Sequence, residues 1–245
     1  MTTVGKLKAI ARFRPVQTML KDPDVADAYE ELLGDLRLSL PQATGNSILV
    51  ASTAPNEGKT TVSSCLAITA SRSGLSVLLI DGDLRRSSLT AGEPETVEGV
   101  GFIEILLGQG KVADAIHSVE PPEPLSAGAI SFMPAGRRPP TSLGSVDWAK
   151  ARSAIKSLSE AYGLVLIDSP PILAVSDALL VANIVDAVLL VIGTGAAQFD
   201  EIRRAKGQLL ATGTPIIGAV LNRFKAKAHG PSSRPYSGYY RRSLK

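Results

Sequence analysis

Residues 53–60 read Thr-Ala-Pro-Asn-Glu-Gly-Lys-Thr, directly after a short apolar run (47–51) and directly before a stretch of helical composition (62–70). Strand, tight loop and helix in that order is the setting a phosphate-binding loop requires. Gly58 lets the backbone pass close to a triphosphate, where a side chain would collide. The backbone N–H groups at the start of the following helix form a ready anion site. Lys59 adds a full positive charge for the β- and γ-phosphates, and Thr60 offers a hydroxyl to Mg²⁺. The nucleotide contacts expected from the loop are Pro55, Asn56, Glu57, Gly58, Lys59, Thr60 and Thr61. Two positions depart from the usual G-x-x-x-x-G-K-[ST] pattern. Thr53 stands where the first glycine belongs, and Asn56 sits where glycine would be easier, although asparagine tolerates left-handed backbone better than most residues.

A chain of 245 residues allows one large domain or two small ones, and with 4% aromatics its core must be aliphatic. The single cysteine, Cys65, excludes a disulfide framework and reads as a small buried residue. Two isolated histidines, His117 and His229, give no metal constellation. The start carries Lys6, Lys8, Arg12, Arg14 and Lys21 without the apolar core of a signal peptide, so a cytoplasmic location is expected. Residues 178–192 are apolar but too short and too polar, at Asn183 and Asp186, to span a bilayer. The net charge of +3 gathers at the ends: beyond Asn222 there are Arg223, Lys225, Lys227, Arg234, Arg241, Arg242 and Lys245 and no acid. Such a tail suits an acidic partner, anionic lipid or plain solvent. Specific nucleic-acid recognition is not expected, because the basic ends lack a reading helix or an aromatic platform.

Residues 24–40 place Ala28, Leu32, Leu33, Leu36 and Leu40 at helical spacing, and Pro41 follows. Apolar runs of strand length recur at 76–80, 164–167, 187–192 and 216–221, with a shorter one at 130–133. Helical stretches at 148–162, 176–183 and 200–211 separate them. Strands that are apolar throughout and alternate with helices specify a doubly wound, mostly parallel α/β sheet covered on both faces. The expected division is a flexible basic segment over 1–23, one P-loop domain over 24–224 and a flexible tail over 225–245.

Ligands of such a sheet bind beyond the carboxyl ends of its strands. Those ends here carry Asp81-Gly-Asp83-Leu-Arg85, Asp168-Ser-Pro-Pro171, and Asn222-Arg223. Asp168 suits Mg²⁺ held through water, Asp83 can share that duty, and Asp81 is placed to orient or deprotonate an attacking hydroxyl. Asn222 and Arg223 are added to the nucleotide contacts. Whether the hydroxyl belongs to water or to a protein side chain decides the function.

Together these residues resemble the bacterial tyrosine kinases (BY-kinases) of capsule and exopolysaccharide assembly. The family's three nucleotide motifs stand here as APNEGKTT, LLIDGDLR and LVLIDSPP. Asp27-Ala-Tyr-Glu30, the turn Pro134-Ala-Gly-Arg-Arg-Pro-Pro-Thr-Ser142, Val175-Ser-Asp-Ala178 and a tyrosine-bearing tail are further matches. The resemblance implies a MinD/ParA-like P-loop fold, ATP and Mg²⁺ as cofactors, and autophosphorylation of Tyr236, Tyr239 and Tyr240 in a neighbouring subunit. It implies Lys59, Asp81, Asp83 and Asp168 as catalytic residues, with Thr60, Asp83 and Asp168 serving the metal. It implies a transmembrane polysaccharide co-polymerase adaptor as a separate chain, an opposing tyrosine phosphatase, and a peripheral place at the inner face of the cell membrane. The family's subunit-contact pattern E-x-x-R-x-x-R reads here as Glu31, Gly34 and Arg37, so self-association is expected through that helix with one arginine missing.

Two other readings remain open. One is a ParA/MinD-like switch ATPase, a class whose loop carries an extra lysine at its second position, occupied here by Ala54. The other is a catalytically weak nucleotide-binding partner that uses its basic ends for contact.

Overall fold

A computed structural model describes residues 13–40, 45–87, 89, 99–119, 130–137 and 143–224. Seven strands form one sheet: β1 (Asn46–Ser52), β2 (Val77–Asp81), β3 (His117–Val119), β4 (Ile130–Met133), β5 (Leu164–Asp168), β6 (Ala187–Gly193) and β7 (Ile216–Asn222). Their order is β3-β4-β2-β5-β1-β6-β7, parallel except for β3, which runs antiparallel to β4 at one edge. From β1 the chain builds one side of the sheet and returns through β5, then crosses to β6 and β7. The strand order therefore reverses at β1, where an open α/β sheet places its ligand crevice.

The helices divide between the two faces. On one face α1 (Phe13–Met19), α2 (Pro23–Ser39) and α3 (Lys59–Arg72) cover Ile48, Val50, Leu79 and Leu166. On the other, α4 (Phe102–Leu106), α5 (Val112–Ala115), α6 (Trp148–Ala161), α7 (Asp177–Ala182) and α8 (Phe199–Leu210) cover Leu49, Ala51, Ile80 and Ile167. Successive strand residues thus go to opposite clusters, and both clusters are dry. That is why β1, β2 and β5 read as unbroken apolar runs.

The parallel strands and the longer helices fall where the apolar pattern puts them. The expected flexible segment over residues 1–23 needs correction, because Phe13–Met19 is helical and Val16 and Leu20 are buried beside α3. Two apolar residues four apart suffice to seat one helical turn or two, a signal hidden among the basic residues around it. Residues 1–12 and the tail 225–245 lie outside the described residues, as does most of the Pro-Pro turn, 138–142. Cys65 is buried on α3, where burial pushes its thiol up to about 11 and Tyr29 of α2 shares a hydrogen bond with it.

Candidate active site

The loop joining β1 to α3 is shaped by two left-handed residues. Gly58 caps α3 with φ +93°, and a Cβ there would stand 2.0 Å from Asn222 Nδ2. Only glycine fits that approach. Asn56 takes φ +63°, the conformation for which asparagine is the best non-glycine choice. Glu57 turns away from solvent. Its Oε2 accepts from Ala54 N–H at 2.7 Å, its Oε1 from Gly193 N–H at 3.0 Å, and its carbonyl from Asn222 Nδ2 at 2.8 Å. Glu57 and Asn222, both expected to touch nucleotide, therefore brace the loop against the ends of β6 and β7.

Lys59 opens α3 with only 8% of its surface exposed. Beside it, Thr60 Oγ1 donates to Asp168 Oδ2 at 2.6 Å and Ser63 Oγ to Asp168 Oδ1 at 3.2 Å. Asp168 ends β5 directly opposite Asp81 of β2, so neighbouring strands bring the two acids together by register. Gly82 N–H donates to the Asp168 carbonyl at 2.7 Å, a contact a Cβ at Gly82 would crowd at the same distance. Asp81 Oδ1 accepts from Asp83 N–H at 3.2 Å and Oδ2 from Ser87 Oγ at 2.5 Å. Asp83 Oδ1 accepts from Arg86 N–H at 3.0 Å. Thr61 follows Thr60 half-buried, and Arg223 is exposed with φ +58°, its N–H bonded to Asn222 Oδ1 at 2.9 Å.

Burial dominates the titration of these acids. It pushes Asp81 from the ordinary 3.8 up to about 7, helped by the nearby charges of Asp168 and Asp83 and opposed by Ser87. It pushes Asp168 up to about 6, against the pull of Lys59, Thr60 and Ser63. Asp83 is raised too, with Lys59 resisting.

A cleft of about 600 Å³ opens beside this arrangement; Lys59 and Asp83 line it, whereas Asp81 and Asp168 lie fully buried behind that lining. The phosphate loop lines it with Pro55, Asn56 and Lys59, the turn after β2 with Asp83, Arg85 and Arg86, and the segment after β5 with Pro170, Pro171, Ala174 and Val175. Arg85 is held by Asp177, the first residue of α7: Nε lies 2.7 Å from Oδ2 and Nη2 3.3 Å from Oδ1. Ser63, Ser87 and Asp177 are the partners that sequence reasoning missed. Ser87 lies outside any motif, whereas Asp177 stands within the Val-Ser-Asp-Ala match without an assigned role. The structure brings together Lys59, Thr60, Asp81, Asp83 and Asp168; Arg223 stands apart from the cleft lining, and Tyr236, Tyr239 and Tyr240 lie outside the described residues.

The donor set suits a hydrated divalent cation with a nucleotide: one hydroxyl, buried carboxylates and an ammonium at a helix N-terminus, where phosphates supply the remaining oxygens. Among the described residues no group of three or more histidines, cysteines or acids forms a cage that would hold an ion by itself.

Comparison with known proteins agrees with this fold. The profile of the CobQ/CobB/MinD/ParA nucleotide binding domain family matches residues 48–237. Tyrosine-protein kinase YwqD of Bacillus subtilis is 30% identical over 218 residues, covering 88% of this chain and 86% of that one. Tyrosine-protein kinase wzc of Salmonella typhimurium is 29% identical over 240 residues, 97% of this chain but 32% of the longer relative. The kinase domain of Escherichia coli tyrosine kinase ETK superposes with a TM-score of 0.71 at 27% identity, covering 94% of this chain and 88% of that domain.

Proposed function

The chain belongs to the bacterial tyrosine kinases within the CobQ/CobB/MinD/ParA nucleotide-binding family, and from that premise we propose that it is an ATP-dependent protein-tyrosine autokinase. The observation that carries the reading is the cluster at the strand ends. Thr60 is bonded to Asp168, Asp168 stands opposite Asp81 in register, and Lys59 at the helix start acts electrostatically on Asp168 and Asp83. The cleft beside them, which Lys59 and Asp83 line, has two consecutive prolines along its wall and room for a side chain as large as tyrosine.

In this reading Lys59 and the backbone of the loop hold the β- and γ-phosphates of ATP. Thr60, with Asp83 and Asp168 near it, would hold Mg²⁺, which when bound neutralises phosphate charge and keeps the β- and γ-groups in place. The tyrosine oxygen forms its bond to the γ-phosphorus as the bond to the β–γ bridging oxygen breaks, and that electron pair leaves with ADP. The hydroxyl proton passes to Asp81, whose carboxylate, raised to about 7, is a stronger base than an ordinary aspartate. For a tyrosine to reach it, the Ser87 hydroxyl must yield or share its place.

The acceptors proposed are Tyr236, Tyr239 and Tyr240 of a neighbouring subunit. A glycine- and serine-containing tail gives such tyrosines the reach they need. The partners proposed are a membrane adaptor with which the kinase regulates exopolysaccharide or capsule polymerisation and export, an opposing phosphatase, and a second copy bound through the α2 face of Glu31, Gly34 and Arg37. All three residues of that face are exposed. Among the described residues no helix is long and apolar enough to cross a membrane. The proposed membrane attachment is through the adaptor.

The test is incubation of the purified chain with Mg·ATP and mass spectrometry of the tail peptides, beside a Lys59→Met variant. Phosphate on the tail tyrosines that is lost in the variant is expected. Steady ATP hydrolysis with unmodified tyrosines would replace the kinase by the switch ATPase of the same fold.

A further inference from the structure

The three stretches that line the cleft are held by different devices. The phosphate loop is braced from within: Glu57 accepts from Ala54 and Gly193, and Asn222 reaches the Glu57 carbonyl. The segment after β5 is tied to the end of β1, with Ile172 N–H on the Ser52 carbonyl at 2.8 Å and Leu173 N–H on the Thr53 carbonyl at 3.3 Å. The turn after β2 leaves the sheet at Asp81 and is joined to the far end of the β5 segment by a side-chain pair, Arg85 with Asp177, across 92 positions of sequence.

That pair is built to hold position. The Asp177 carboxylate is 5% exposed and receives two guanidinium donors, a forked contact that fixes direction as well as distance. Arg85 lines the cleft, and its Nε and one Nη2 donor are committed to Asp177, which fixes the guanidinium in the cleft wall. On one side of the pair lie Asp81 and Asp83; on the other, within seven residues of Asp177, lie Pro170, Pro171 and Val175. The pair therefore sets the spacing between the β2 turn and the apolar wall, while the phosphate loop is braced separately through Glu57.

Resting on the kinase reading, we propose that Arg85 and Asp177 are positioning residues for the phosphoryl acceptor: their ion pair spaces the cleft so that a tyrosine ring against the prolines turns its hydroxyl toward the β2 turn, where Asp83 lines the cleft and Asp81 lies behind it. The pair's effect falls on the acceptor more than on the nucleotide, whose loop is braced by Glu57. Lysine at position 85 keeps the charge but loses the fork, so the distance is no longer fixed.

The experiment uses the full chain, a fluorescent ADP analogue with Mg²⁺ for nucleotide affinity, and a peptide copying residues 232–245 as acceptor at saturating Mg·ATP. In Arg85→Lys, kcat/KM for the peptide falls about tenfold or more, as misplacement of a reacting group predicts, while nucleotide affinity stays within about twofold. Arg85→Ala alone leaves a buried carboxylate unpaired and destabilises the fold; Arg85→Ala/Asp177→Ala removes both charges, melts closer to the parent chain and remains impaired toward the peptide. Glu57→Gln shows the converse split, losing nucleotide affinity first. Nucleotide affinity falling in step with peptide turnover in Arg85→Lys, or parental peptide kinetics in the double variant, overturns the proposal. A parent chain that hydrolyses ATP and leaves every tyrosine unmodified overturns the kinase reading and this proposal together. A phosphorylating parent with unaffected variants overturns this proposal alone.

Discussion

Thr53 shows at the scale of one residue how far the loop departs from its pattern. It is fully buried, its φ is not left-handed, and its carbonyl accepts from Leu173, so the backbone does not require glycine there. Its Oγ1, however, has no hydrogen-bond partner. A buried hydroxyl without a partner costs about 1–3 kcal/mol. Thr53→Val keeps the shape and removes the orphan, so it is expected to stabilise the nucleotide-free chain by about that amount, or roughly 2–4 °C in Tm per kcal/mol. Thermal melts check this, and titration with Mg·ADP checks the converse: weaker nucleotide binding would mean that the hydroxyl serves the ligand. Residue identity alone did not disclose this. The sequence marks Thr53 as the substitution and Asn56 as a tolerated left-handed residue, but whether a hydroxyl finds a partner depends on neighbours brought by β5. For the same reason Glu57 reads as a nucleotide contact in the motif and becomes a brace in the fold. Its partner Gly193 lies 136 positions away.

Elements were legible where burial leaves a pattern that composition or spacing can show. The strands β1, β2 and β5, dry on both faces, announce themselves as apolar runs. The helix α6, with Ala151, Ile155 and Leu158 buried along one side, shows plain helical spacing. By contrast α3 is enclosed nearly all round, from Val62 to Ser71, so its pattern lacks a polar face and its first turn, Lys59 to Thr61, is polar for phosphate. The three-residue strand β3 and the short helices α4 and α5 fall below the length at which periodicity can speak. Within α2, Gly34 is a further departure. It is exposed in mid-helix, its φ is not left-handed, and nothing lies within 4 Å of where its Cβ would be. Gly34→Ala is therefore expected to stabilise the chain by about 1 kcal/mol, measured by denaturant unfolding. A loss of stability would show that the face is occupied, as it would be in a self-associated form.

For the whole molecule, the acids of the site are a standing charge on stability. Asp81 and Asp168 are both buried and face each other across adjacent strands, with folded-state values of about 7 and about 6 against an ordinary 3.8. Between those values and 3.8 the folded chain holds more protons than the unfolded one, so unfolding releases them and acid favours the fold. The stability these two groups add is complete below about 3.8 and is lost as pH rises through about 6 and about 7. Asp83 shifts in the same direction. A chain without nucleotide or Mg²⁺ is therefore expected to melt at a higher temperature near pH 6 than near pH 8, unlike a protein whose carboxylates are stabilised by partners. Asp81→Asn/Asp168→Asn should flatten that dependence and raise the melting point near pH 8, because neutral amides remove the buried charges and the cost of their desolvation. Mg·ADP should do the opposite of acid: it requires charged carboxylates, so its stabilisation grows with pH and its binding releases protons. Melts across this range with and without Mg·ADP, and calorimetry in buffers of different ionisation heat, measure both halves. A nucleotide-free chain that gains stability from pH 6 to pH 8 would show that the two carboxylates are already charged at rest. The strand-end pair would then be poised by neighbours and not by the ligand it awaits.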